Sequence, residues 1–398
     1  MRRRRRLLVP VLVLLLPVVL IVGIWIGSDP GRLPGFAQDV FGVDRDALVY
    51  DEVVDRITEE YYRPIERDDL LDEALRGAVE SLDDRFSAYF DPRDYAHFQE
   101  ATSGEFQGVG LNVREVTRGL RVVSVFEDSP AERAGLRDGD LIVSVGDTSL
   151  RGKSSAQSTA LIKGPAGTEV ELTYMRDGRQ RRVRLRRERV TVPVVESELV
   201  ERGGRKVGHV SLATFSSGAH GEVSDAVERL KERGAGALVL DLRGNGGGLL
   251  NEAVLVSSLF VGDGTIVSTK GRSRPERTFE ATGRAIDTKS PMVVLVDEGS
   301  ASASEIVTGA LKDRERATVV GRRTFGKGVF QEVMQLPNGG ALDITVGEYF
   351  TPDGRNLGGG GTKKGAGITP DVKALDDPAT PRDEALDAAV RTVLRDGT

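Results

Sequence analysis

The spacing of apolar residues divides the chain into regions of different predicted structure. An almost unbroken apolar run, Leu7–Ile26, follows the basic cluster Arg2–Arg6. The run is long enough for one membrane crossing, and the arginines before it predict a cytoplasmic N-terminus. A cleaved signal peptide has a similar charged head and apolar stretch. No A-x-A site follows closely, however, so an uncleaved anchor is favoured.

The apolar spacing then changes twice. Between residues 44 and 105 it follows a helical period, as at Val53 and Ile57, and a helical region is predicted there. Over 106–190, short alternating segments lie between turn residues, and Asp177-Gly178 is typical of a tight β-hairpin. This second pattern predicts a small β domain.

From residue 191 onward, apolar strand candidates alternate with amphipathic helix candidates. Ala237–Leu242 precedes a glycine-rich turn and a helix candidate, and Met292–Val296 precedes the helix candidate Ala303–Asp313. This alternation predicts a largely parallel sheet covered by helices. The predicted regions are the basic head with the anchor, a linker, the helical region, the β domain, the βα core and a C-terminal segment, at 1–27, 28–43, 44–105, 106–190, 191–376 and 377–398.

Composition narrows the chemistry. The chain has no cysteine, which excludes disulfides and a cysteine nucleophile. Its three histidines, His97, His209 and His220, show no metal-ligand spacing, so neither a metal nor another cofactor is expected. Residues 1–27 hold five of the 55 basic residues and no acids, which leaves 50 against 61 acidic residues, a balance of −11. This acidic remainder argues against a nucleic-acid partner.

Three serines lie where a strand candidate turns into a helix candidate: Ser300, Ser302 and Ser304. The first N–H groups of a helix lack intrahelical partners and its dipole favours negative charge, which are conditions for stabilising an oxyanion. Ser302 and Glu305 also fit a capping box, which requires no catalysis. The local residues therefore favour a cap and do not choose among the three serines.

Lys327 stands between Gly326 and Gly328, where the backbone can approach other groups closely. A buried lysine there would lose much of its preference for the charged form and act as a neutral base, whereas the alternative is a surface lysine on a tight turn. Gln331 reaches Lys327 only if the chain bends, because four residues of straight strand span about 13 Å. A Ser–His–Asp triad is disfavoured, since no motif surrounds any histidine.

A glycine-rich turn, Asp241–Gly248, follows the apolar strand candidate and precedes a helix candidate. Such a turn suits an anion, and a phosphate-binding loop is one interpretation. The spacing and the Gly-Lys-Ser/Thr ending of a nucleotide-binding P-loop are missing, so nucleotide binding is disfavoured.

Taken together, these motifs resemble the C-terminal processing peptidases, also called tail-specific proteases, over about residues 45–375. The resemblance implies an α/β (α+β multidomain) fold with a ClpP/crotonase-like protease core, an inserted PDZ-like β domain, an N-terminal helical region and one N-terminal transmembrane helix. It implies that Ser302 is the nucleophile, Lys327 the general base and Gln331 the group that orients the lysine.

The same resemblance assigns further residues. It implies that Gly247 or Gly248 contributes one N–H to an oxyanion hole and that Ala303 contributes the second. The segments Tyr349–Arg355 and Gly367–Asp371 also resemble family signatures, and a structural role is expected for them.

Residues 106–190 resemble a PDZ domain of the bacterial protease type, and we call them the PDZ-like module. The turn Gly108-Val109-Gly110-Leu111 would hold the carboxylate of an extended C-terminal peptide that adds to the sheet. The alternative is that these glycines only form turns. At Lys163 relatives often carry an arginine that couples the PDZ domain to the active site. Lysine keeps the charge and loses the bidentate fork, which leaves that coupling open.

The sequence thus predicts a serine endopeptidase, held in the cell membrane by a single N-terminal span, whose protease domain lies outside the cytoplasm. Its expected partners are proteins or peptides with apolar C-termini and the membrane, and self-association into a homo-oligomer is left open. A catalytically inactive PDZ adaptor is the alternative. A ligand-binding relative of the enoyl-hydratase-like fold explains the glycine turn but not Lys327.

Overall fold

The computed structural model describes residues 45–363, 365–377 and 379–396. The predicted anchor and linker lie outside these residues. No helix in the described ranges is long and apolar enough to cross a membrane. The chain divides between Arg85 and Phe86 into two compact units.

In its described residues, 45–85, the first unit contains a pair of helices. Within it, Val54 and Val79 are buried. The bounds are Arg45–Glu60 for α1 and Arg67–Glu80 for α2. Residues from Phe86 onward belong to the second unit, so residues of the predicted helical region 44–105 fall in both units. In the second unit, residues 86–108 form β1 (Ala88–Phe90), α3 (Pro92–Ser103) and β2 (Glu105–Gly108).

The PDZ-like module is a six-stranded antiparallel sheet with one main helix. The path runs β3-β4-β5-β7-β8, and β6 pairs with β5. Asp177 and Gly178 both have positive φ, 51° and 74°, which confirms the predicted tight hairpin. The bounds are β3 Leu111–Val116, β4 Gly119–Val125, α4 Pro130–Arg133, β5 Leu141–Val145, β6 Thr148–Ser149, α5 Ser155–Ile162, β7 Glu169–Arg176, β8 Arg179–Arg186 and β9 Glu188–Thr191, the last of which pairs with β2.

The βα core contains the predicted sheet. Its order is β10-β11-β12-β15-β16-β19, antiparallel between β10 and β11 and parallel elsewhere. Every residue of β12 and β15 is buried. The bounds are β10 Val195–Arg202, β11 Arg205–Leu212, α6 Ala219–Glu232, β12 Ala237–Asp241, α7 Leu250–Ser258, β13 Thr265–Lys270, β14 Arg277–Glu280, β15 Met292–Val296, α8 Ala303–Asp313, β16 Thr318–Gly321, β17 Val329–Gln335, β18 Ala341–Phe350, β19 Val372–Lys373 and α9 Glu384–Asp396.

Helices cover both faces of this sheet, which explains the continuous apolar runs of its central strands. Leu238 and Leu240 of β12 pack with helices α6, α7 and α8 in one hydrophobic cluster. Val239 points the other way and packs with Ala389 and Val393 of α9 in a second cluster. Alternate residues of one strand therefore enter separate cores.

A second sheet was not predicted. Its order is β1-β18-β13-β14, β17 pairs with β18, and all of its pairings are antiparallel. Strand β1 pairs Phe90 with Ala341, so residues far apart in the sequence meet here. This sheet carries the strand after Lys327.

Candidate functional site

The glycine-rich turn and the three serines lie at the same edge of the main sheet. Strands β12 and β15 are parallel neighbours, with Asp241 opposite Leu295. The glycine turn follows the first strand and the serines follow the second. Because the carboxyl ends of parallel strands meet at one edge, two segments that are distant in sequence come together.

Hydrogen bonds join these two turns. The Asp297 carboxylate accepts the N–H of Gly244 at 2.8 Å and that of Gly299 at 2.9 Å. The carbonyl of Asn245, a fully buried residue, accepts the N–H of Ala301 at 3.0 Å. The serine turn is therefore fixed against the glycine turn before its helix begins.

The structure distinguishes the three serines. The Ser300 hydroxyl donates to the Leu242 carbonyl at 2.7 Å, and the Ser304 hydroxyl donates to the Asn245 carbonyl at 2.8 Å. Both residues are fully buried, and their hydroxyls hold the serine turn against the glycine turn. Of the three, Ser302 lines the cavity at the strand ends.

Ser302 also has unusual backbone angles, with φ 55° and ψ −113°. This sparsely populated conformation is costly for a residue with a side chain and is found most often at functional sites. Helix α8 begins at the next residue, Ala303. The serine is thus held on a sharp turn at a helix N-terminus.

Glu305 connects the serine motif to the lysine motif. Its carboxylate is fully buried and accepts the N–H of Ser302 at 3.0 Å. It also accepts the Thr324 hydroxyl at 2.6 Å and the N–H groups of Gly326 and Lys327 at 2.7 and 2.9 Å. Burial raises the pKa of Glu305, and these hydrogen bonds act in the opposite direction. The expected capping residue is therefore a bridge between both motifs, which the sequence alone did not reveal.

Lys327 is half-buried and lines the same cavity as Ser302. Its Nζ atom lies 4.7 Å from the centroid of the Phe86 ring, a cation–π distance. A side chain at position 328 would place its Cβ 2.2 Å from the backbone nitrogen of Gly358. Position 328 must therefore be glycine, because the backbone at Gly358 passes close to it beside the lysine.

Gln331 also lines this cavity. Its strand has an irregularity between Phe330 and Gln331, which supplies a local change of register near the lysine. The Gln331 amide donates to the Thr345 hydroxyl at 2.9 Å on the neighbouring strand. The irregularity lies next to Gln331, and the amide is held from β18.

The two glycines predicted for an oxyanion hole differ. The Gly247 N–H donates to the Asn245 side chain at 2.9 Å, so this N–H is engaged within its own turn. In the described ranges, the backbone N–H groups of Gly248 and Ala303 donate no hydrogen bond. A Cβ at Gly247 would lie 2.8 Å from the Ser302 Cβ, so Gly247 allows the turns to approach. Of the two glycines, Gly248 has the N–H that can still act as a donor.

Tyr349 reaches the site although only a structural role was expected for its segment. The side chain is buried and lines the same cavity as Ser302. Its backbone N–H donates to the Gly328 carbonyl at 2.9 Å, beside the lysine. Burial raises the pKa of Tyr349 to about 12, and the neighbouring Ser302 side chain acts in the opposite direction. The phenol is therefore neutral at physiological pH.

These side chains share one cavity of about 580 Å³, which we call the Ser302 cavity. Phe279, Phe330 and Leu250 supply apolar walls. Arg274 and Glu332 form an ion pair at 2.5 Å and also line it. Within the described chain, no group of acidic residues and histidines is placed to hold a metal ion.

A second cavity of about 580 Å³ lies between β3 and α5 of the PDZ-like module, and we call it the Leu111 groove. Lys163 follows α5, and its Nζ lies 2.6 Å from the Glu100 carboxylate and 5.4 Å from the centroid of the Phe106 ring. The predicted peptide-binding residues line this groove: Gly108, Val109, Gly110 and Leu111.

Helix α3 contributes to both cavities. Glu100 and Ala101 line the Leu111 groove, whereas Phe98 and Thr102 line the Ser302 cavity. Residues three and four apart lie on one side of a helix, so α3 presents different sides to the two cavities.

Comparisons with known proteins identify the family of the chain. Residues 206–374 match Peptidase family S41, and residues 108–186 match a PDZ domain. The chain is 36% identical over 300 residues to a carboxyl-terminal-processing protease of Synechocystis sp., covering 74% of this chain and 70% of the relative. It is 36% identical over 321 residues to the carboxy-terminal processing protease CtpA of Bacillus subtilis, covering 80% and 67%.

Among solved structures, the photosystem II D1 C-terminal processing protease matches with 32% identity and a TM-score of 0.49, covering 88% of this chain and 97% of that one. The sequence relationships determine the assignment, because the identity is above 30% over most of each relative. The chain belongs to the carboxyl-terminal processing proteases of peptidase family S41, which are serine hydrolases of peptide bonds, and it carries a PDZ domain.

Proposed function

We propose that this protease cleaves its substrates with a Ser302–Lys327 pair supported by Gln331, after the Leu111 groove has captured an apolar C-terminal tail. The observation that carries the proposal is that the three serines have different environments. Ser300 and Ser304 are engaged with backbone carbonyls, while Ser302 shares a cavity with Lys327.

In the first step, neutral Lys327 accepts the proton of the Ser302 hydroxyl as its Oγ attacks the peptide carbonyl carbon. The carbonyl oxygen becomes an oxyanion, and the N–H groups of Gly248 and Ala303 are its donors. Collapse of this intermediate breaks the C–N bond, and Lys327 returns the proton to the leaving amine. An ester between Ser302 and the N-terminal part of the substrate remains.

In the second step, water attacks the ester carbonyl while neutral Lys327 accepts a proton from it. The oxyanion uses the same two N–H donors. Collapse breaks the ester bond, and the Ser302 oxygen recovers a proton from the lysine. We assign Gln331 the task of orienting Lys327, since its amide is held on β18 and lines the same cavity.

Tail capture is assigned to the Leu111 groove. A peptide that adds to β3 would place its carboxylate at the turn from Gly108 to Leu111 and its terminal side chain against the apolar wall. Lys163 then links the groove to the Ser302 cavity through Glu100, because α3 lines both. A coupling based on this ion pair needs a single charge and no bidentate fork.

We further propose that residues 1–27 anchor the enzyme in the cell membrane, with the protease outside the cytoplasm. The basic cluster and the apolar run support this orientation. Protease treatment of intact cells tests it. Degradation of the folded domain without lysis is expected, whereas protection until lysis would place the domain in the cytoplasm.

Cleavage of an unfolded protein with an apolar C-terminus tests the catalytic assignment. Ser302→Ala should lower kcat by at least about 10⁴-fold. Ser304→Ala is the matched control, and it should retain measurable cleavage because its hydroxyl bonds only to backbone. Undiminished cleavage by Ser302→Ala would move the nucleophile elsewhere. Tail binding without cleavage by the unmodified enzyme would instead support the inactive PDZ adaptor.

A further inference from the structure

The segment around strand β8 of the PDZ-like module is unusually basic. Residues 176–189 contain eight arginines and two acidic residues, a net charge of +6. Strand β8 lies at the end of its sheet, and in the described chain it pairs with β7. We call the outward-facing arginines of this strand, Arg182, Arg184 and Arg186, the basic strip.

Strand geometry places the three arginines on one side. Val183 and Leu185 pack into or against the hydrophobic core of the module, so the residues that alternate with them face outward. The side chains of Arg182 and Arg184 are 71% and 67% exposed. The strip is therefore accessible along the length of the strand.

Neighbouring acids do not neutralise the strip. Glu169 and Glu171 lie on the adjacent strand, at 3.7–3.9 Å from the guanidinium nitrogens of Arg182 and Arg184. Pairs this long and this exposed contribute little. The whole module has sixteen basic and eleven acidic residues, a net charge of +5, while residues 28–398 have a net charge of −11. Positive charge is thus concentrated in one domain of an acidic protein.

Arg187 provides an internal comparison. Its guanidinium donates to the carbonyls of Leu161 and Ile162 at 3.1 and 2.8 Å, which stabilises the C-terminus of α5. In the described residues, the guanidinium groups of the basic strip donate no hydrogen bond to backbone. Charged residues also protect an edge strand from pairing with other chains, and β8 has eight residues to protect. Edge protection can use charge of either sign, whereas all three side chains of the basic strip are positive.

We propose that the basic strip docks on the anionic phospholipid headgroups of the membrane that holds this enzyme. The inference rests on the membrane anchoring proposed above. A flat row of guanidinium groups without neighbouring large apolar side chains suits a charged surface rather than insertion into it. Anchoring in the same bilayer keeps the strip at high effective concentration near the headgroups, which favours lipid over a soluble polyanion.

Docking would hold the PDZ-like module at the membrane surface. Tails of membrane-associated or newly exported proteins are presented there, so the strip would select substrates by location. Because the attraction is electrostatic, it should weaken as salt increases.

Fluorescence transfer on the full-length chain tests the proposal. The chain has no cysteine, so Gln180→Cys gives one specific labelling site on β8. The labelled protein is reconstituted into vesicles of phosphatidylcholine, with or without phosphatidylglycerol, that carry an acceptor on their headgroups. We expect stronger transfer in the anionic vesicles at low salt, and a loss of this difference at high salt.

Two triple variants are matched in charge. Arg182→Gln/Arg184→Gln/Arg186→Gln should lower docking in anionic vesicles about tenfold or more. The control, Arg205→Gln/Arg229→Gln/Arg233→Gln, removes the same charge from the core domain and should dock like the unmodified protein. Equal transfer in neutral and anionic vesicles, or equal loss in both triple variants, would overturn the proposal.

The remaining outcomes are also decisive. Resistance of the protein to alkaline extraction from the vesicles measures membrane insertion independently of docking. If the chain does not insert, anchoring fails, but vesicles added to the protein still test the strip because charge-driven docking needs no insertion. Binding of soluble polyglutamate without any response to anionic vesicles would assign the strip to acidic polypeptides and reject lipid.

Discussion

The Ser302 cavity and the Leu111 groove have the same volume, about 580 Å³ each, but they are built differently. Around Ser302 the buried carboxylate of Glu305 alone accepts four short hydrogen bonds, although the Arg274–Glu332 pair on the cavity wall is 39% exposed on each side chain. The groove has apolar walls, and its Lys163–Glu100 pair is 37% exposed on each side chain. One cavity is rigidly defined, whereas the other is open and adaptable.

This difference corresponds to two kinds of chemistry. Making and breaking covalent bonds requires donors and a base at fixed positions, and small displacements are costly. Tail recognition uses backbone pairing and an apolar wall, which tolerate different side chains. Substitutions near Ser302 should therefore reduce turnover, while substitutions in the groove should reduce affinity.

The largest effect is expected for Glu305→Gln. The amide has one acceptor oxygen where the carboxylate has two, so donors among Ser302, Thr324, Gly326 and Lys327 lose their partner. We expect kcat/KM to fall about 10²–10³-fold and the free energy of unfolding to fall by about 2–4 kcal/mol, measured by kinetics and urea unfolding. Glu298→Gln, at an exposed ion pair with Arg322, should change neither appreciably. Normal kinetics for Glu305→Gln would refute the bridging role.

A smaller effect is expected for Tyr349→Phe. The change removes the hydroxyl beside Ser302 and keeps the buried ring. We expect kcat to fall about tenfold with KM unchanged, because a polar group next to the nucleophile is lost. Tyr174→Phe, in the core of the PDZ-like module, is the control. A rise in KM with normal kcat would instead indicate that Tyr349 contacts the substrate.

In the groove, Val113→Asp should affect binding. Val113 lines the Leu111 groove, and a charge there opposes burial of an apolar tail. We expect KM for a tailed substrate to rise about tenfold while kcat stays constant. Val123→Asp makes the same change at a position that is 48% exposed, and it should stay within about twofold. If both variants behave alike, the groove does not capture the tail.

The smallest effect is expected for the hydrogen bonds of His209, whose partner Asp241 begins the glycine-rich turn. Burial disfavours charged His209, but hydrogen bonds with Asp241 and Glu198 raise its pKa above the ordinary value of 6.5. A raised histidine pKa stabilises the fold below about pH 6.5, and this stability is lost as pH rises through the folded-state pKa. His209→Gln should remove this pH-dependent part.

Thermal unfolding between pH 6 and pH 8.5 measures that contribution. We expect the Tm of the unmodified protein to fall by about 2 °C more than that of His209→Gln over this range. His97→Gln, in the Leu111 groove, is the matched control and should retain the full pH dependence. Parallel curves for the unmodified protein and His209→Gln would exclude a role for this network.

The sequence predicted the parts of the fold that depend on local pattern. The buried strands of the main sheet are continuous apolar runs, and the helix Ala303–Asp313 has the predicted bounds. The second sheet was missed because its pairings join distant segments, as in β1 with β18. Helical spacing predicted a helix in the region of α3 but does not show which unit that helix joins.

The site was predictable to a similar degree. The resemblance to the C-terminal processing peptidases pointed to Ser302 and Lys327, whereas local chemistry did not separate Ser302 from Ser300 and Ser304. That separation depends on contacts across the two turns. The roles of Glu305 and Tyr349 were also hidden, because they depend on residues many positions away, which the fold brings into one site.

Direct observation of the acyl-enzyme is the most decisive experiment on the proposed Ser302–Lys327 pair. Intact-protein mass spectrometry after rapid mixing with a slowly hydrolysed C-terminal ester substrate reports the adduct, and peptide mapping gives its position. We predict an adduct on Ser302 that forms at least about 10³-fold more slowly in Lys327→Ala, while Lys312→Ala, in the last turn of α8, forms it normally. Acylation of Ser302 at an unchanged rate in Lys327→Ala would contradict the assignment of Lys327 as the base.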